Sequence, residues 1–121
     1  MKRIFELKNT HFDFMFIEHI SRLRKAHGFT KDGLSLAMGL PKSFVSNVES
    51  YTQKHKYSTR HIALLAKVMG YNTLAEIFNF PTPVYDRIKV TVEFTYNKTE
   101  KKAIMSKVLN IEELTTDEDE K

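Results

Sequence analysis

The feature that most constrains this chain lies between Phe29 and Glu49, where two short helical patterns meet at Gly39. Leu34 and Met38 are four apart on the first, and Val45 and Val48 are three apart on the second. Such spacings put each pair on one face of a helix. Gly39 supplies the positive φ that an abrupt turn needs, and Ser35 is small where the second helix must pass close. Pro41 suits a first helical turn. Two helices forced across each other at a large angle leave the second protruding, with Lys42, Ser43, Phe44, Ser46 and Asn47 on its outer face.

Further helices flank this pair. One is expected from about Asp13, a plausible N-cap, to His27, with Phe16, Ile20, Leu23 and His27 as its buried stripe and Gly28 as its stop. Thr30 caps the next. Another runs from a cap at Ser58 to Met69, with Gly70 after it, and a short fifth from Asn72 to about Phe78. Three segments result: an N-terminal lead, 1–11, in which Phe5 and Leu7 share a face of a short strand; a helical domain, 12–80; and, after the stiff Pro81-Thr82-Pro83 linker, an extension, 81–121. In that extension Ile88, Val90, Val92, Phe94 and Tyr96 alternate with polar residues, which reads as a half-buried strand. Residues 99–111 favour helix, since Ile104, Val108 and Ile111 are spaced four and three; the return strand of a hairpin is the rival reading. The expected fold is therefore mainly α, five helices in a helix-turn-helix domain with a small β-containing extension.

Charge divides along the same line. Residues 1–80 hold 12 Lys/Arg against 6 Asp/Glu, and residues 81–121 hold 7 against 9, within an overall balance of +4. The basic part suits a polyanion, and the acidic tail Asp117–Glu120 reads as a disordered segment. With no cysteine, disulfides, thiolate metal sites and a cysteine nucleophile are excluded. No apolar run approaches the roughly 18 residues of a membrane span, and Glu6 and Lys8 interrupt any signal peptide, so the expected location is the cytoplasm. The five histidines lack metal-ligand spacing, no G-x-S-x-G occurs and the four glycines are isolated. No metal, no cofactor and no enzymatic activity are expected.

The pattern Leu34, Ser35, Gly39, Leu40 and Val45-Ser46-Asn47-Val48-Glu49 resembles the Cro/CI-type (XRE) helix-turn-helix family of lambda-repressor-like DNA-binding domains. So do Leu23-Arg24-Lys25-Ala26-His27-Gly28-Phe29-Thr30 and Ile62-Ala63-Leu64-Leu65-Ala66-Lys67-Val68-Met69-Gly70. The resemblance covers residues 16 to 78. Lys31 stands where the family usually has Gln, Tyr51 where Gly is common, and Ser35 where Ala is commoner.

The resemblance implies a sequence-specific regulator of the repressor type, with the third helix in the major groove of double-stranded DNA. It places base reading on Lys42, Ser43, Phe44 and Asn47. Lys42 can donate to guanine, Asn47 can pair with adenine, and Phe44 can touch a thymine methyl or, alternatively, tuck into the core. Phosphate contacts are implied for Lys31, Ser46, Tyr51, Thr52, Lys54, His55, Lys56 and Arg60, with Tyr57 as a further hydroxyl donor. Arg24 and Glu49 are implied as a structural ion pair. Such domains bind as two-fold dimers, and Ile88, Val90, Val92 and Phe94, with Phe5 and Leu7, are the expected dimer face unless the strand completes the monomer's own core. The alternative function is an antitoxin or protein-interaction module whose extension binds a partner protein.

Overall fold

The computed structural model describes residues 1–52, 54–99 and 103–115. In chain order they form β1 (Lys2–Thr10), α1 (His11–Ala26), α2 (Lys31–Ala37), α3 (Phe44–Glu49), α4 (Thr59–Met69), β2 (Arg87–Tyr96) and β3 (Ala103–Glu113). The architecture is α+β: four helices and a three-stranded antiparallel sheet of order β1-β2-β3. The mainly α, five-helix expectation is corrected by this arrangement. The acidic tail Asp117–Glu120 lies outside the described residues.

The chain divides into two compact units, residues 13–82 and residues 1–12 with 83–121. The helical unit is built on a core of Phe16, Ile20, Leu34, Met38, Val45, Val48, Leu65, Met69 and Ile77. Thr30 caps α2 by accepting the Gly33 N–H at 2.9 Å. Gly28, Gly39 and Gly70 all take positive φ, and Gly39, at +75°, reverses the chain between α2 and α3. Residues 41–43 form a turn rather than helix, so α3 begins three residues after Pro41. His27 is exposed, not part of the buried stripe, and its Nε2 meets the Tyr71 hydroxyl at 3.0 Å.

The expected fifth helix is absent. Residues 72–78 make a turn, with the Ile77 and Phe78 N–H groups both donating to the Leu74 carbonyl. Burial overrides helix propagation here. Ile77 is fully buried, and Phe78 and Phe80 pack on Phe16 with ring centroids 5.3 and 6.1 Å away. A continuous helix would present one stripe, whereas a turn followed by extended chain buries Ile77 and lets Phe80 and one face of the exposed Phe78 pack on Phe16.

In the sheet unit, β1 and β2 keep one register from Lys2↔Thr95 to Thr10↔Arg87. β2 alternates strictly, with Ile88, Val90, Val92 and Phe94 buried. The helix expected over 99–111 is corrected to strand over the described residues from Ala103 onward. β3 pairs with β2 but carries two extra residues, Ile104 and Leu109, where the register shifts. Polar partners line the sheet's other face. Lys89 bridges Glu6 (3.2 Å) and Glu112 (3.1 Å), and these carboxylates raise the Lys89 pKa through hydrogen bonds and charge.

Candidate nucleic-acid interface

The site is the outer face of α3, and what seats it is local. Val45 and Val48 are buried beneath it. Ser35, fully buried on α2, donates from its Oγ to the Lys31 carbonyl (2.9 Å) and accepts the Val45 N–H (3.0 Å). That N–H belongs to the first turn of α3, where no intrahelical acceptor exists. Ser43, at the N-cap of α3, makes no side-chain cap, so Ser35 does the capping from the neighbouring helix.

The far end of α3 is held by one polar face of α1. Glu18, Ser21 and Arg24 follow at three-residue steps. Arg24 makes a two-pronged pair with Glu49, Nε to Oε2 at 2.8 Å and Nη2 to Oε1 at 3.0 Å, and both side chains are only 7% exposed. The third guanidinium nitrogen donates to the Phe29 carbonyl at 2.9 Å, and Ser21 Oγ donates to Glu49 Oε1 at 3.3 Å. Every strong hydrogen-bonding group of the pair thus has a partner, which is what a buried pair requires.

The other sequence-derived positions divide. Lys42 and Ser43 are exposed, and Ser46 and Asn47 are half-buried. Lys42 Nζ lies 3.8 Å from Asp32 of α2, both well exposed, a contact too solvated to hold it. Phe44 does not stand free. Its ring is 4.4 Å from His61 and 5.9 Å from Tyr57, which leaves it packed on the core edge. Phe44 is half-buried, like Ser46 and Asn47, with part of its ring turned to the core edge.

Among the phosphate-contact candidates, Lys31, Lys54, His55 and Arg60 are exposed on the first turn of α2, the loop after α3 and the first turn of α4. Three hydroxyl or ammonium donors are already engaged. Tyr51 donates to Glu18 Oε1 at 3.0 Å, Thr52 Oγ1 lies 3.0 Å from Ser50 Oγ, and Lys56 meets Asp13 at 2.8 Å. Tyr57 is buried, so its hydroxyl is not a phosphate donor. Burial pushes both tyrosines' pKa upward, with Glu18 adding to the effect at Tyr51 and Glu49 at Tyr57.

Sequence reasoning missed His61. It completes a reciprocal cap of α4: its N–H donates to Ser58 Oγ (3.3 Å), while its Nδ1 accepts the Ser58 N–H (3.0 Å). Glu or Gln is the usual residue there, so the Ser-x-x-His spacing carried no signal. Desolvation, then the charge of Arg60, lowers the His61 pKa. Since His61 also touches Phe44, the start of α4 borders the start of α3.

Ile88, Val90, Val92 and Phe94, expected as a dimer face, are buried within the single chain, the first three completely. A second copy cannot reach them, so that assignment is corrected. Among the described residues no cluster of three or more His, Asp or Glu is placed to hold a metal, and no helix is long and apolar enough to cross a membrane. Comparison of the chain with protein-family models, curated proteins and solved structures finds no match.

Proposed function

We propose that this protein is a sequence-specific DNA-binding regulator that reads the major groove with α3. The observation that carries the reading is the way α3 is presented. Its Val45–Val48 side is buried and its two ends are held by Ser35 and Arg24, while Lys42 and Ser43 face solvent in the turn that leads into it and Asn47 lies on the helix itself. A short helix fixed at both ends loses little conformational freedom on entering a groove, and Lys and Asn are the side chains that pair with guanine and adenine edges. Lys31, Lys54, His55 and Arg60 provide the surrounding phosphate contacts in this reading.

The test is selection of bound duplexes from a random pool, followed by binding of the selected duplex at several salt concentrations. The expected result is one enriched site whose binding weakens as salt rises. No enrichment, or an enriched site bound equally well by Asn47→Ala and Lys42→Ala, overturns the reading.

A further inference from the structure

We infer that the outer edge of β1 pairs with the same edge of a second copy, antiparallel, about a two-fold axis at Ile4. This goes beyond the DNA reading and does not rest on it.

β1 is an edge strand of the sheet. Its pairing shows which backbone groups face outward. The Met1 carbonyl accepts from the Tyr96 N–H, and the His11 N–H donates to the Asp86 carbonyl. Bonding alternates along an antiparallel ladder, so odd-numbered residues of β1 bond to β2. Lys2, Ile4, Glu6 and Lys8 therefore point their N–H and C=O groups away from it. Among the described residues no strand takes that edge.

The two edges of the sheet differ. β3 is interrupted by the extra residues Ile104 and Leu109, and bulges of this kind twist an edge away from pairing. β1 runs without a break over nine residues. Its exposed stretch is Lys2–Glu6, centred on Ile4, which is 58% exposed beside the exposed Phe5. Leu7, Asn9 and Thr10 are half-buried.

Charge then selects the register, because like charges directly opposite destabilise a strand pair. Symmetry about Arg3 sets arginine against arginine. About Phe5 it sets Lys2 against Lys8, and about Glu6 it sets glutamate against glutamate. Symmetry about Ile4 places Lys2 opposite Glu6 twice, Arg3 opposite Phe5, Met1 opposite Leu7 and Ile4 opposite itself. A centre at Leu7 also opposes Glu6 to Lys8, but it leaves exposed Met1 outside the ladder and sets Ile4 against half-buried Thr10. With the axis at Ile4, the outward-facing residues Lys2, Ile4 and Glu6 supply all the backbone hydrogen bonds.

The experiment is sedimentation equilibrium of the full chain without DNA, up to high micromolar concentration, with Ile4→Pro as the variant. Proline removes one outward N–H and no bond to β2, a position edge strands tolerate. The expected result is a dimer for the parent chain and a monomer for Ile4→Pro with an unchanged circular dichroism spectrum. A second arm does not depend on that variant folding. Since the chain has no cysteine, Ile4→Cys and Lys8→Cys each carry a single thiol. On the axis, Ile4→Cys meets its own copy and oxidises to a covalent dimer, whereas the two Lys8→Cys thiols sit on Cα atoms about 27 Å apart, beyond disulfide reach. A parent chain that stays monomeric, a folded Ile4→Pro that dimerises equally well, or Lys8→Cys cross-linking as readily as Ile4→Cys overturns the inference.

Discussion

The Ser35 hydroxyl stands between two backbones, 2.9 Å from the Lys31 carbonyl to which it donates and 3.0 Å from the Val45 nitrogen whose proton it accepts. One fully buried oxygen thus ties the first turn of α2 to the first turn of α3. Ser35→Ala leaves the Val45 N–H without its acceptor in a buried place, a loss of about 1–3 kcal/mol. Urea unfolding should show a lower midpoint with the slope unchanged. A midpoint equal to the parent's would mean that the bond contributes nothing.

Glu49→Ala should be more damaging. It removes both oxygens that hold Arg24 and the acceptor of Ser21, leaving a guanidinium 7% exposed without its counter-charge. Breaking one side of a buried pair typically costs about 3–5 kcal/mol. Arg24→Ala should cost a similar amount. The double substitution should cost less than the sum of the two, and strict additivity in a double-mutant cycle would refute the coupling.

On DNA, the two kinds of contact separate by their readout. Asn47→Ala should weaken binding to the selected duplex by about 1–3 kcal/mol and relax the preference at one base pair. Lys31→Ala should weaken binding to all sequences alike and reduce the salt slope by about 1. If Lys31→Ala altered sequence preference instead, its place among the phosphate contacts would be wrong.

Acid should destabilise the fold through two histidines. Burial, then the charge of Arg22, lowers the pKa of His19, and burial, then Arg60, lowers that of His61. Unfolded histidine titrates near pH 6.5. Below that value the unfolded chain takes up protons that the folded chain refuses, so stability falls as pH falls and is full above it. At His61 the added proton also occupies the Nδ1 that accepts the Ser58 N–H. His61→Gln, which keeps a capping acceptor, should lose less stability between about pH 7.5 and about pH 5 than the parent does. An identical loss in both would remove His61 from the account.

Gly33 tempts stabilisation, because alanine is favoured over glycine in a helix by about 1 kcal/mol. A Cβ there would sit 2.9 Å from Thr30 Oγ1, the oxygen that caps α2. Displacing that cap costs about the same amount. Gly33→Ala should therefore leave the thermal midpoint no higher than the parent's.

Spacing alone located the turn at Gly39 and the buried pair Val45 and Val48, because both periodicities are short and undisturbed. It misread the last strand for a physical reason. Val108 and Ile111 are three apart, as on a helix, yet they pair with Val92 and Val90 of one sheet face because Leu109 is an extra residue between them. A bulge converts period two into a spacing that helices share. The turn at 72–78 failed differently, since nothing local in Asn72–Phe78 announces that the rings of Phe78 and Phe80 will pack on Phe16. At the candidate site the exposure of Lys42 and Ser43 follows from the spacing, but their place in the turn before α3 does not. The engagement of Phe44 by His61 and Tyr57, and of Tyr51 by Glu18, depends on partners far along the chain.

The pairing of β1 with β2 joins the first residues of the chain to a strand that follows the whole helical unit. On the ribosome, residues 2–10 emerge long before their ladder partner exists, while residues 13–82 become available as one uninterrupted stretch. The helices are thus free to assemble first, and the leading segment waits with its backbone bonded to water until residues 87–96 follow. Trimming that segment away to tidy the N-terminus would leave β2 uncovered along one flank and invite aggregation through it.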